Sequence, residues 1–291
     1  MLRQFLEFSI IGIASGGMYV LSALGFVIIF KATRIFNFAM GEMMMLPAFI
    51  FLWAMATVGL HWGLALLVAI LGGIVIVLIL ERVVMRRMIG RPVVVLVMVT
   101  LGAGSVMRGI AGLIWGHEIV TLPSFIPRDP IFLGDILIPG KLAWSFLAAA
   151  VVAGGFVAYY RFSRAGIAIR ATASDLVTAE VLGVNVRWVY TLAWMLAGVL
   201  AAVAGILAAS VNGVSPQLGF VALNVLAVIM LAGMTSVFGV LVAGLFIGWL
   251  ETIVGAYLSA AWQSFLPYVI VLLVMMVKPS GLFGEERVER I

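Results

Sequence analysis

Cysteine is missing from this 291-residue chain, so neither a disulfide nor a thiolate metal site can be built, and redox compartment is not readable from it. Charge is almost as scarce. Only 10% of the residues are Asp, Glu, Lys or Arg, against about a quarter in an ordinary soluble domain. Histidine occurs twice, and neither His61 nor His117 has a second ligand at metal-binding spacing. No G-x-x-x-x-G-K-[ST], H-E-x-x-H or G-x-S-x-G motif occurs, which leaves nucleotide hydrolysis, zinc proteolysis and serine-nucleophile chemistry without a foothold. Short alternating apolar segments, the mark of a membrane β-barrel, are lacking too.

Hydrocarbon fills the chain instead. Hydrophobic residues make up 65% of it, more than one water-soluble core can hide. Charge-free stretches of about twenty residues recur, the length that spans a hydrocarbon layer about 30 Å thick. The pattern predicts an all-α, polytopic helical membrane protein: one transmembrane domain over 1–291, with eight to nine segments. They fall near 8–30, 38–58, 62–80, 93–115, 142–160, 188–211, 219–235, 238–258 and 264–277. The opening MLRQFLEFSI has no small-residue cleavage site behind a short apolar core, so it reads as a retained first helix.

A net charge of +5 does not point to nucleic acid here, because the arginines occupy short connections between apolar runs. Arg82, Arg86, Arg87 and Arg91 fill one connection; Arg161, Arg164, Arg170 and Arg187 fill another. The positive-inside rule puts both in the cytoplasm, with Lys31, Arg34 and the tail from Lys278 to Ile291 on the same side. Nine crossings then place the N-terminus outside. If the short segment 219–235 is re-entrant, the count is eight and the terminus moves inside. The connection 116–141, with Pro123, Pro127, Pro130, Pro139, Asp129 and Asp135, reads as an ordered periplasmic loop.

Two stretches look interrupted: "FNFAMGE" with its neighbours over 36–46, and the glycine-broken 224–240. Paired broken helices in the two pseudo-repeated halves of a transporter surround a midplane site. Charges inside a membrane cost at least about 2.5 kcal/mol on insertion scales, so Glu42, Arg108 and Glu251 each demand a reason. Glu42, with Asn37, is expected within about two turns of the cytoplasmic face, either as an acid at a helix N-terminus or beside a substrate path. Arg108 stands towards the outer end of its span, either snorkelling or presenting a guanidinium to a carboxylate-bearing solute. Glu251 lies past the midplane, either hydrogen-bonded within the bundle or at a site. Asn224, in the second broken stretch, completes the candidate path.

Outside the membrane, "RFSRAGIAIRATASDLVTAEVLGVNVRW" is the informative stretch. Helical periodicity lets Ile167, Ala171, Leu176, Ala179 and Leu182 share a face, with Asp175 free to pair with Arg170 or Arg187. An apolar stripe on an inside loop suits a docking helix for a cytoplasmic partner.

Taken in order, "GIASGGMYVLSALGFVIIFKATRIFNFAMGEMMM", "SRAGIAIRATASDLVTAEVLGVN", "GLFIGWLETIVGAYL" and "KPSGLFG" resemble the branched-chain amino acid permeases of bacterial ATP-binding-cassette importers, of the LivH type. The resemblance implies a multi-pass protein of the bacterial inner membrane. Its partners would be a LivM-type second permease, two ATPase subunits and a periplasmic binding protein, besides membrane lipid. This chain would hold no cofactor; ATP and Mg²⁺ would sit on the ATPases. Arg164, Gly166, Arg170, Ala171, Leu182 and Gly183 inherit the ATPase-coupling role, and Asn37, Phe38, Ala39, Gly41 and Glu42 inherit a place by the path. The sequence departs from the family pattern at Met40, where His is frequent, at Met107-Arg108, where Gln-Asn is frequent, and at Ile167, where Arg is common. These changes bear on the solute: branched-chain amino acids or a related small carboxylate- or amide-bearing molecule. The competing expectation is a stand-alone secondary carrier or channel, with Glu42 and Glu251 as ion sites. An integral membrane enzyme has no clustered constellation to support it.

Overall fold

A computed structural model describes residues 2–88, 90–134 and 136–284. Asp135 of the outer loop and residues 285–291 of the expected tail lie outside the described residues. The chain runs α1 (Leu2–Thr33), α2 (Met40–Ala56), α3 (Trp62–Ile79), α4 (Val93–Trp115), a β-hairpin of β1 (Ile131–Leu133) and β2 (Ile136–Ile138), then α5 (Gly140–Phe162). It continues with α6 (Arg164–Ser174), α7 (Leu176–Val181), α8 (Val186–Asn212), α9 (Val221–Ala232), α10 (Val237–Tyr257) and α11 (Ala260–Val277). A π turn (Leu80–Val84) and a 3₁₀ turn (Met85–Met88) extend α3, and a 3₁₀ turn (Pro216–Phe220) leads into α9.

Among the described residues, seven helices are long and apolar enough to cross a membrane: α1, α3 with its extension, α4, α5, α8, α10 and α11. Two shorter apolar helices, Met40–Ala56 and Pro216–Ala232, accompany them. Their direction follows from contacts at the two faces. Glu7 Oε1 accepts from the Leu137 amide at 3.2 Å, so α1 starts on the face that carries the hairpin. At its other end Arg34 donates to the Ala173 carbonyl at 2.9 Å, which sets α6 on the opposite face. Val214 pairs with Val120 beside the hairpin, and Lys31 Nζ reaches the Thr235 carbonyl at 3.1 Å beside α6. Residues 216–232 therefore run from one face to the other. Counting the two shorter helices, the described residues traverse the bundle nine times, within the expected eight to nine.

The core sits on α1 and α8, whose apolar windows are 78% and 72% buried, against 11–44% for the other spans. Glycine lets α1 and α10 pack backbone to backbone, antiparallel: a Cβ on Gly248 would collide with Gly16. Helix α1 stops at Thr33 because Arg34 takes a left-handed φ of 57°, while Thr33 Oγ1 accepts from the Ile35 amide.

Candidate functional site

The chain turns back into the protein after Arg34. Residues 34–37 are not helical, and α2 starts at Met40. Asn37 makes that turn: its Oδ1 accepts from the Ala39 amide at 3.1 Å, and its Nδ2 donates to Met43 Sδ at 3.0 Å. Met40 Cε packs where a Cβ of Gly25 would stand, eight residues before the end of α1, or about 12 Å along it at helical rise. Glu42 is accordingly deeper than the two turns from the face that the sequence suggested.

The second break meets the first at this depth. A Cβ on Gly41 would strike the Gly219 carbonyl, so α2 and the 3₁₀ turn before α9 touch through backbone alone. The segment that meets 36–46 is thus the 3₁₀ turn Pro216–Phe220; the predicted 224–240 begins inside α9. Glycine spacing misled because Gly233, with φ 93°, opens the following linker and Gly239 already stands in the first turn of α10.

Between α2, α4 and the α9 entrance lies a cavity of about 220 Å³. Asn37, Glu42, Ser105, Arg108 and Phe220 line it. Glu42 is buried, and Arg108 Nη2 donates to its Oε1. The Arg108 guanidinium also lies over the Phe220 ring, 4.1 Å from its centroid. Neither snorkelling nor a free guanidinium describes Arg108; its charge is answered inside by an acid 66 positions away. Its side chain is nevertheless 33% exposed and spends one N–H on Glu42, so donors remain for an incoming acceptor. The first turns of α2 and α9 both open here, which makes the electrostatics receptive to a carboxylate.

Asn224 and Glu251 belong to a separate network. Tyr19 donates to Glu251 Oε2 at 2.6 Å, Asn224 Nδ2 donates to the Tyr19 hydroxyl at 3.2 Å, and Tyr268 donates to Asn224 Oδ1 at 3.2 Å. Four helices (α1, α9, α10 and α11) are tied by these bonds. Glu251 is hydrogen-bonded within the bundle, and Tyr19 was invisible as its partner because it looks like one more aromatic in an apolar run. A buried acid also went unread at Glu81, which stands at the edge of the arginine cluster and pairs with Arg86 at 2.6 Å.

On the inner face the coupling candidates form two helices, since the shared apolar stripe breaks at Asp175. Ser163 caps α6 by accepting from the Gly166 amide at 2.9 Å. Asp175 caps α7, accepting from the Thr178 amide at 3.1 Å and hydroxyl at 2.6 Å, and pairs with neither Arg170 nor Arg187. Arg170 turns inward onto the Tyr160 and Arg161 carbonyls at the end of α5. Ala171 is half-buried and Ala179 buried, while Ile167, Leu176 and Leu182 are exposed. Val177, Val181 and Leu182, the last before Gly183 at φ 87°, leave an apolar patch uncovered on α7. Arg164 opens α6 and is exposed.

The chain can now be set against known proteins. Residues 9–275 match the family model described as branched-chain amino acid transport system / permease component. The chain is 29% identical to the high-affinity branched-chain amino acid transport system permease protein LivH of Escherichia coli K12, over 99% of this chain and 98% of that one. The corresponding protein BraD of Pseudomonas aeruginosa is 25% identical over the same shares. A probable branched-chain amino acid transport permease protein LivH of Methanocaldococcus jannaschii is 25% identical over 92% of this chain and 89% of that one. With the match covering most of its length, the chain belongs to the family of branched-chain amino acid transport permease components.

Proposed function

We propose that this chain is one transmembrane half of a binding-protein-dependent ATP-binding-cassette importer in a bacterial inner membrane. Its solute is a branched-chain amino acid or a related small molecule bearing a carboxylate or amide. The observation that carries the reading is the Glu42–Arg108 pair lining a cavity where two broken helices meet. A carboxylate entering there finds the partly exposed Arg108 guanidinium and two helix starts, and an ammonium finds Glu42. Asn37 holds the turn that shapes one wall, while Asn224, Tyr19 and Glu251 brace α9 behind the other.

The other participants are a LivM-type second permease, two ATPases that bind ATP and Mg²⁺, and a periplasmic binding protein. Ser105, Arg108 and Phe220 stand partly exposed on one lateral side, which suits closure of the cavity by the second permease. The binding protein delivers solute at the hairpin face, residues 116–141. The ATPases grip α6 and α7 in segment 161–187, with Val177, Val181 and Leu182 as the apolar contact and Arg164 at the rim. Arg170 fastens α6 to the end of α5, so a push on α6 reaches the bundle rigidly. Gly166 and Ala171 lie on the side of α6 packed against the bundle.

Reconstitution of the five-subunit importer in vesicles tests this. Arg108→Gln, with uptake normalised to the folded importer recovered in the vesicles, is expected to cut uptake of carboxylate-bearing solutes ten- to a hundredfold while sparing neutral amides, the loss of about 1.5–3 kcal/mol of charge-assisted bonding. Equal uptake of both solute classes by the variant overturns the role of Arg108. Uptake by this chain alone, driven by an ion gradient, overturns the importer.

A further inference from the structure

A second, smaller cavity of about 100 Å³ lies at the inner end of the bundle, on the far side of the α1–α2 connection from the first. Glu81, Arg86, Ile35, Leu96, Tyr190 and Trp194 are among its walls. Glu81 has 3% of its side chain exposed, and its Oε1 accepts from Arg86 Nε at 2.6 Å. Its Oε2 is buried without any hydrogen-bond partner. A carboxylate oxygen left bare in such a place costs free energy unless something donates to it. The residue sits in a π turn, a distortion that spends regular helical bonding and recurs at functional sites.

The chemistry of the walls selects the donor. Tyr190 and Trp194 bring aromatic walls, and Ile35 and Leu96 bring hydrocarbon. Glu81 and Arg86 already neutralise one another, so a bare cation would leave a net positive charge in a poorly hydrated pocket. A zwitterion keeps the balance. Arg86 remains 40% exposed and spends two of its five N–H donors, on Glu81 and on Thr191 at 2.9 Å, so it can take a carboxylate at the rim. At about 10–15 Å³ for each water-sized group, the space holds about seven to ten of them. That is the size of a small amino acid.

We infer that this pocket is a second binding site, open to the inner face, for a small apolar α-amino acid whose ammonium bonds Glu81 Oε2 and whose carboxylate meets Arg86. The site stands whether or not the larger cavity carries the transported solute. Ile35 walls this pocket, while Asn37 and Phe38 of the same connection wall the larger one, so an occupant here bears on both.

The test uses the purified full chain, reading tryptophan fluorescence and thermal midpoint against valine, isobutylamine and isovalerate. Valine is expected to saturate both readouts, with the amine and the acid each at least tenfold weaker. Glu81→Gln should weaken valine at least tenfold, and Leu113→Ala, on the exposed face of α4, should leave it within twofold. Should Glu81→Gln fail to fold, Leu96→Trp, which fills the pocket, must abolish the response. No response to valine overturns the site. Loss of the response in Arg108→Gln with retention in Glu81→Gln also overturns it, as does the amine binding as tightly as valine.

Discussion

Glu42 and Arg108 are individually costly and jointly tolerable. Burial of a carboxylate beside a guanidinium is offset by their attraction only while both are present, so deleting one partner reveals more than the pair is worth. Arg108→Gln strands the buried Glu42 and is expected to cost about 3 kcal/mol, whereas Glu42→Gln leaves a partly hydrated guanidinium and costs about 1–2 kcal/mol. The double variant should lose less than the sum. Unfolding titrations in detergent, run as a double-mutant cycle, check this; strict additivity would mean the two charges do not interact. The sequence marked both residues, since a charge in an apolar run stands out, but could not pair them across 66 positions. Glu81 was hidden for the opposite reason: four arginines nearby made its surroundings look like a solvated loop.

At the scale of an element, α7 hangs on one cap. The Thr178 hydroxyl and amide bonded to Asp175 hold its carboxyl below the ordinary value of 3.8. A depressed native value means the cap contributes fully above the ordinary pKa and is lost as pH falls through the lower native one. Exchange protection of the Thr178 amide, corrected for intrinsic pH dependence, should be flat from about pH 7 to 5 and fall below about pH 4. Asp175→Asn should keep protection and remove that fall; an unchanged pH profile would show that the carboxyl is not the cap. Helical periodicity read this region as one face because it cannot see a cap that restarts the helix in a new direction. Segment ends elsewhere were legible: α4 runs from Val93 to Trp115, as the apolar run between Pro92 and Gly116 implied. The breaks were half legible, for Asn37 announces a turn chemically, whereas Gly219 matters only because Gly41 stands against it.

For the whole molecule, nine passes put Leu2 and Gly284 on opposite faces. The lack of native cysteine makes this directly testable with single cysteines at Ser124, near the hairpin face, and Ser174, at the end of α6. An impermeant thiol reagent on intact cells should label the first and not the second until the membrane is opened; the reverse pattern would invert the orientation. Charge distribution gave this polarity from the sequence, because arginine in short loops is biased by insertion itself. Which helices form the centre was not legible, as α1 and α8 are no more apolar than α3, the most hydropathic span yet only 28% buried. The partly bared Arg108 has a last consequence, in the cell's handling of the subunit. A copy made in excess would hold a guanidinium against acyl chains, at a cost of about 2.5 kcal/mol or more that company removes. Steady-state abundance would then follow the supply of its mate, with orphaned molecules cleared by membrane proteases.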